Sequence, residues 1–380
     1  MIIDKEVKSL VFEIEKGDGD VDALIKDLII KLGQNCKKAE NQKRYQDYLT
    51  GQTKLEAYPI DKNGYAVSFD PLEDEEAFYK TWSQYGFVIG KQIVPQAECT
   101  HAINRTNEVF NKLSGGKDSV SNNKIDRIMP KDDNGTPLIS RGFFELYHDD
   151  VLAQLRQNIR AYIHHVLIWG RVDLWTSFDR MGVKLPSHED GKALPLHVDQ
   201  NPNVHADFKT VQGVLALTDC PLARGTYKAV PGSRSRFPAY ADMAKNNGEY
   251  VELDQSQPIA QTLEKHAQAL PLRAGDMVTW DSRTTHANTS NLSNDVRMVF
   301  YMAAGPARED KPELVEARKE SLKTGLGSNV REALMHASMK PRYTNQLAIQ
   351  SVRKKENLNL LGQLLYGTKK YKNIITPPAT

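Results

Sequence analysis

The sequence predicts an all-β core of sandwich or barrel type, antiparallel, with helical segments at both ends. From about residue 171, short runs rich in β-branched and aromatic residues recur between turn residues: VDLWTSFDRMGVKLP, VQGVLALTDC, TYKAVPG, DMVTWDS and VRMVFYMAAG. These runs do not alternate with helical ones, which argues against a parallel sheet with crossover helices. Before and after this region, apolar residues instead fall at spacings of three and four.

In chain order, residues 1–58 read as polar and helical. VKSLVFEIEK and VDALIKDLIIKLG carry the helical spacing, and Gly17-Asp18-Gly19-Asp20 breaks them, with Asp20 or Asp22 as the cap of the second. YPIDKNGYAVSFDP is turn-rich and marks a boundary. PLEDEEAFYKTWSQYG starts acidic and ends on Gly86, the pattern of a helix. FVIGKQIV follows as a short strand and PQAECTHAINRTNEVFNKL as a second helix. Residues 114–140, rich in Gly, Asp, Asn, Lys and Ser, read as a mobile surface loop. FFELYHDDVLAQLRQNIRAYIHHVLI is helix-rich. The β-runs are interrupted by polar, helix-like sequence at about 234–270, expected to cross the barrel mouth. The organisation is thus a helical extension at 1–58, a core at 59–307, and a basic helical extension at 308–380.

Composition excludes several classes. The chain has 380 residues, 40% hydrophobic and 26% charged, as soluble globular proteins do. A net charge of +2 gives no footprint for nucleic acid or a membrane surface. No apolar run approaches the roughly 20 residues that span a bilayer. Charges interrupt the apolar positions of the first twenty residues, unlike a secretory signal, so a cytoplasmic protein is expected. Cys36, Cys99 and Cys220 lie far apart with no CxxC, which argues against a disulfide framework or structural zinc. The basic stretch 340–373 lacks the aromatic interleaving of a nucleic-acid surface. It reads as a helical extension that caps the barrel or forms a contact between two copies.

The chemistry centres on LPLHVDQNPNVH. In extended chain, residues two apart face the same way, so His197 and Asp199 can share a cavity while Val198 packs behind. A redox iron site of the facial type needs one further imidazole. His205 lies beyond the turn Asn201-Pro202-Asn203, and His188 precedes a charged loop. His101, His148, His164, His165, His266 and His336 fall in helix-like sequence, where a packed or solvated ring is the ordinary case. His286 follows a β-run and leads through NTSNLSND into a further strand, expected to return beside it as in a hairpin. Arg297 starts that strand, and alternation puts it on one face with Val299 and Tyr301. An inward arginine is costly unless an anion neutralises it, and its planar fork suits a carboxylate. The alternatives are an ordinary polar turn at His197-Val-Asp199 and a surface arginine in a sheet.

Taken together, residues 69–307 resemble the phytanoyl-CoA dioxygenase family of iron(II)/2-oxoglutarate oxygenases. The resemblance rests on KLP followed by LPLHVDQ, on VQGVLALTDCPLARGTYKAVPGSRS, and on LRAGDMVTWDSRTTHANTSNLSNDVRMVFYMAAGPA, with YGFVIGKQIV and FFELYHDDVLAQL nearer the amino terminus. It implies a double-stranded β-helix, a jelly-roll or cupin-like barrel of eight antiparallel strands flanked by helices. It implies Fe(II), 2-oxoglutarate as cosubstrate and O2. His197, Asp199 and His286 match the family's metal ligands, and Arg297 its partner for the distal 2-oxoglutarate carboxylate. Arg180, Gln212, Val214 and Asn288 match positions that line the cosubstrate; Val214 stands where an aromatic residue is frequent.

Two departures from the family pattern rim the site: Ala223-Arg224-Gly225 replaces its usual ENG turn, and Arg234 replaces a histidine. Lys184, Arg224, Arg234, Arg283 and Trp280 are the residues expected near the substrate. Related halogenases replace the carboxylate ligand with a small residue, so Asp199 implies hydroxylation or another oxidation. Family members act on amino acids, osmolytes, natural-product intermediates and acyl thioesters. A small, polar or carboxylate-bearing metabolite is expected here. Desaturation or cyclisation on the same barrel, and a non-catalytic barrel that only binds, are the competing readings.

Overall fold

The structure, a computed structural model, describes residues 1–113, 139, 142–186, 193–244, 250–327 and 346–375. The loop expected at 114–140 lies outside the described residues except for Ile139, and so does His188. The helices are α1 (Lys5–Lys16), α2 (Val21–Cys36), α3 (Ala39–Thr50), α4 (Glu75–Tyr85), α5 (Gln96–Leu113), α6 (Asp150–Arg156), α7 (Ile159–Trp169), α8 (Pro258–His266), α9 (Pro312–Thr324), α10 (Gln346–Val352), α11 (Leu360–Leu365) and α12 (Lys372–Ile375). The strands are β1 (Phe87–Gly90), β2 (Phe143–Phe144), β3 (Leu174–Thr176), β4 (Met181–Lys184), β5 (Leu194–Val198), β6 (Val211–Ala216), β7 (Tyr227–Ala229), β8 (Val251–Glu252), β9 (Gln268–Leu270), β10 (Met277–Asp281), β11 (His286–Asn288), β12 (Arg297–Tyr301) and β13 (Ala304–Pro306).

Two antiparallel sheets make the core. The larger has the order β1-β10-β6-β12-β4-β2, the smaller β8-β5-β11-β7-β9, and β13 pairs with β3 as a separate ribbon. This is a jelly-roll sandwich; among the described residues no ladder closes the two sheets into a barrel. Between them lies a core of Phe87, Ile89, Val214, Ala216, Tyr227, Ala229, Val278, Trp280 and Val299. Alternation follows directly. Met298 and Phe300 point the other way, into a layer with Leu215, Met277, Phe110 of α5 and Leu152 of α6.

The end segments fold as their patterns predict. Asp20 caps α2 by accepting from the Ala23 amide at 3.1 Å, and Gly86 ends α4 in the left-handed conformation. The apolar stripe of α2 (Ile25, Leu28, Ile29, Leu32) meets Ile163 and Leu167 of α7 and Leu361 and Leu364 of α11 in one cluster. The two extensions therefore cover each other and α7 within one chain. The backbone amide of Leu360 also donates to Asp22 at 2.8 Å. No helix among the described residues is long and apolar enough to cross a membrane.

Three expectations need correction. FVIGKQIV is strand only over Phe87–Gly90. The interruption at about 234–270 contributes β8 and β9 to the smaller sheet. Its residues Phe237, Tyr240 and Leu263 pack behind that sheet on Leu196, Val198 and Ala287. Most of its sequence looks polar because only this one side is buried. Finally, β12 does not return beside β11. It pairs with β4 and β6 in the larger sheet, whereas β11 pairs with β5 and β7 in the smaller. The polar segment between them crosses from one sheet to the other.

Candidate metal centre

The register of the smaller sheet sets His197 on β5 directly opposite His286 on β11, with ring centroids 4.3 Å apart. Both side chains point into the sandwich and both residues are buried, while Val198 lies in the cluster behind. Asp199 follows at the strand end, its amide donating to the Ser282 carbonyl at 3.1 Å. Ligand atoms of His197, Asp199 and His286 all lie within 4.8 Å of one another. Nε2 of His286 is 3.1 Å from Asp199 Oδ2, and Nε2 of His197 is 3.9 Å from Oδ1.

The ring tautomers follow from the chain itself. Nδ1 of His197 bonds the Pro195 carbonyl at 2.8 Å, and Nδ1 of His286 bonds the Thr284 carbonyl at 3.0 Å. A carbonyl oxygen only accepts, so each neutral ring carries its proton on Nδ1 and presents the Nε2 lone pair. Burial, and then the neighbouring His286, push the His197 pKa down to about 4, which keeps that ring neutral. Two lone pairs and a carboxylate converging on one point suit a divalent cation. Two nitrogens and one oxygen on one side are the donor set of a non-haem iron(II) site. Oriented Nδ1–H groups are the usual outer support of metal-bound imidazoles.

Arg297 faces this group from the opposite sheet. It is 4% exposed, and its Nε has no hydrogen-bond partner among the described residues. Other buried donors without hydrogen-bond partners are Arg180 Nε, the Tyr227 hydroxyl and Trp280 Nε1, while Arg180 Nη1 is ion-paired with Asp179 at 3.9 Å. A buried donor left unmade costs about 1–3 kcal/mol, so this concentration fits an oxygen-rich ligand such as 2-oxoglutarate. Lys184 sits beside Arg297 in the β4–β12 register. Its Nζ donates to Asn288 Oδ1 at 2.5 Å and to the Thr289 carbonyl at 3.1 Å, so Lys184 and Asn288 join the two sheets. Burial, and then the charge of Arg297, lower the Lys184 pKa to about 7.

Gln212 pairs with Trp280, and Val214 with Val278 and Tyr301, along the inner face of the larger sheet. The Trp280 ring lies 4.8 Å from His286 and 4.9 Å from Tyr227. Arg180 stacks on Phe143 at 4.1 Å. Residues 82–299 match the family model Phytanoyl-CoA dioxygenase (PhyH). This chain belongs to the phytanoyl-CoA dioxygenase family. Its members are 2-oxoglutarate-dependent non-haem iron oxygenases. A curated relative, Ava biosynthesis cluster protein O of Aspergillus versicolor, is 27% identical over 198 residues, 48% of this chain. The chain spans 64% of that relative's length. A putative oxidoreductase from Salmonella typhimurium LT2 superposes with a TM-score of 0.49 at 17% identity, covering 95% of this chain and 96% of that one. The epimerase SnoN in complex with Fe3+, alpha ketoglutarate and nogalamycin RO gives a TM-score of 0.43 at 17% identity, covering 61% and 84%.

Measured against the phytanoyl-CoA dioxygenase pattern, three arginines expected at the rim are committed elsewhere. Arg234 donates Nη1 to the Tyr48 carbonyl at 2.6 Å and Nη2 to the carbonyls of Gly51 and Ser83. Arg283 forms a buried fork on Asp281, with Nη2 to Oδ2 at 2.7 Å. Arg224 bonds the Asp219 carbonyl and pairs with Asp295 at 3.4 Å. The carbonyls around Arg234 and the Asp295 partner of Arg224 come from distant segments, which a linear sequence does not display, whereas Asp281 and Asp219 lie two and five residues from their arginines. Conversely, Tyr227 and Tyr250 reach the site from segments whose sequence does not point to it. Tyr250 brings its ring 4.9 Å from His197. Tyr301 faces inward with Arg297, and burial raises its pKa. Period-two reading of TYKAVPG gives Tyr227 an inward face with Ala229; the register that pairs Tyr227 with Asn288 and brings its ring 6.1 Å from His286 has no local signal.

Proposed function

We propose that this protein is an iron(II)/2-oxoglutarate-dependent dioxygenase that hydroxylates an unactivated C–H of a small, polar or carboxylate-bearing metabolite, giving succinate and CO2 as co-products. The observation that carries the proposal is the convergence of His197 Nε2, His286 Nε2 and the Asp199 carboxylate opposite a buried arginine donor with no protein partner. Iron(II) with 2-oxoglutarate and O2 supplies the oxidising chemistry. The chain supplies the rest. His197, Asp199 and His286 hold the metal from one side. Arg297 binds the distal carboxylate and so fixes the direction in which the cosubstrate lies. Trp280, Tyr227 and Val214 wall the space between and exclude water from it. Arg180 Nε, which makes no hydrogen bond, supports a polar group on the substrate.

The test is an anaerobic titration of apo-protein with iron(II) and then 2-oxoglutarate. A weak visible charge-transfer band of the chelate is expected. Its absence from well-folded protein rejects the proposal in favour of a barrel that only binds. With a substrate in hand, product mass decides the outcome of the reaction. Hydroxylation adds one oxygen, whereas desaturation or ring closure removes two hydrogens.

Lys184 adds a pH dependence of definite sign. Below about pH 7 it is protonated and places a second cation beside Arg297; above it, that charge is lost. Binding of 2-oxoglutarate to the iron-loaded protein is therefore expected to weaken between pH 6 and pH 8 by about tenfold, the order of one charge–charge interaction near a protein surface. Calorimetry at both values checks this, and Lys184→Met is expected to flatten the profile.

A further inference from the structure

The turn between β10 and β11 controls both halves of the metal-ligand set. Its Ser282 carbonyl accepts the Asp199 amide, and Ser282 Oγ donates to Gln200 Oε1 at 2.7 Å. Its Thr284 carbonyl holds the His286 ring. The turn is fixed from within by Asp281, which takes the Arg283 amide at 2.8 Å and the Arg283 side chain. It is fixed from outside by one residue of α3, which lies beyond the segment that matches the family model. Tyr48 donates its hydroxyl to Asp281 Oδ2 at 2.6 Å, and both residues are almost fully buried.

The Tyr48 ring also meets three further segments, those of Trp82, Phe208 and Arg234. It stacks on Trp82 at 4.8 Å and meets Phe208, in the loop after Asp199, edge-on at 5.8 Å. The Arg234 guanidinium, from the loop after β7, covers the ring at 4.3 Å and bonds the Tyr48 carbonyl. Gly232 in that loop passes so close to Lys54 that a Cβ would stand 1.8 Å from the Lys54 carbonyl oxygen, and its φ of +79° favours glycine as well. The amino-terminal segment is thus wedged against the ligand-bearing turn.

We propose that Tyr48 is a positioning residue of the metal centre: through Asp281 it sets the β10–β11 turn and thereby the relative placement of Asp199 and His286. The amino-terminal helices then complete the metal site instead of merely covering the fold. This rests on the metal-centre reading above. A hydroxyl bonded to a buried carboxylate is among the stronger hydrogen bonds, and its loss frees the turn without removing a ligand.

The test is a titration of apo-protein with cobalt(II), whose visible ligand-field band reports donor geometry, on wild type, Tyr48→Phe and Leu28→Ala. Leu28→Ala weakens the packing of α2 and touches nothing in the turn. Tyr48→Phe is expected to weaken cobalt(II) binding about tenfold, the low end for outer partners of a metal centre, and to shift the band. Leu28→Ala is expected to lower the melting temperature while leaving affinity and band unchanged. If Tyr48→Phe yields too little folded protein, Phe208→Leu tests the same wedge from the side of Asp199 and is expected to shift the band likewise. A folded Tyr48 or Phe208 variant with wild-type affinity and band overturns the inference. Wild type that binds no cobalt(II) overturns the metal-centre reading itself.

Discussion

A His286→Ala variant is expected to bind iron(II) at least about 100-fold more weakly than wild type, because loss of a direct ligand exceeds the 10- to 100-fold cost of losing an outer partner. The chelate band with 2-oxoglutarate is expected to vanish with it. The argument is geometric. Among the described residues two imidazoles reach Asp199; they face each other across one β-ladder, and each is held in the ligating tautomer by a carbonyl two residues upstream. His205 stands beyond a turn and is half-buried, with its carbonyl receiving the Gln200 side chain at 2.6 Å. Circular dichroism separates loss of metal from loss of fold. The backbone pairing of β11 with β5 and β7 does not depend on the ring, so the variant is expected to keep its sheet. Retention of the band in a folded variant would mean that another residue completes the set.

Arg297→Ala is expected to spare the metal and disable the cosubstrate. Truncating one partner of a buried charge pair costs about 2–5 kcal/mol, and each 1.4 kcal/mol is about tenfold in affinity. The 2-oxoglutarate dissociation constant is therefore expected to rise about 30-fold or more at unchanged iron(II) affinity. Stability without cosubstrate gives the opposite sign. Arg297 is a buried cation whose Nε lacks a partner, with Lys184 as its register neighbour. Removing such a group relieves desolvation, so the melting temperature of the apo-protein is expected to hold or rise. A surface-type arginine in a salt bridge would lower stability and leave 2-oxoglutarate binding unchanged. Isothermal titration and thermal melts on the same preparation distinguish the two.

Much of this site was legible because strands alternate. His197 and Asp199, and Arg297 with Val299 and Tyr301, share faces by period two alone, and Val198 falls behind as that period requires. Helix ends were legible too, since Asp20 and Gly86 act through their immediate neighbours. What the sequence hid is pairing at a distance. The segment after His286 has the look of a hairpin, yet it carries β12 to the opposite sheet, where β4 and β6 flank it. β8 and β9 are two and three residues long and have no periodicity to detect. Arg234 resembles a rim cation until the carbonyls of α3 and α4 are seen to converge on it. Tyr48 gave no sign at all. Its importance depends on a partner 233 residues away.

The placement of β11 and β12 in different sheets means that the metal ligands and the carboxylate anchor share no strand and no ladder. What sets their separation is the thickness of the filling between two layers. Val214 and Val299 on one wall, and Tyr227 on the other, therefore act as spacers, and the Lys184–Asn288 bond acts as a strut. A single methylene gained or lost there alters the gap into which cosubstrate and substrate must fit, with every chemical group left in place. Selectivity in this molecule can thus be tuned from its core, by the same side chains that hold the sheets apart.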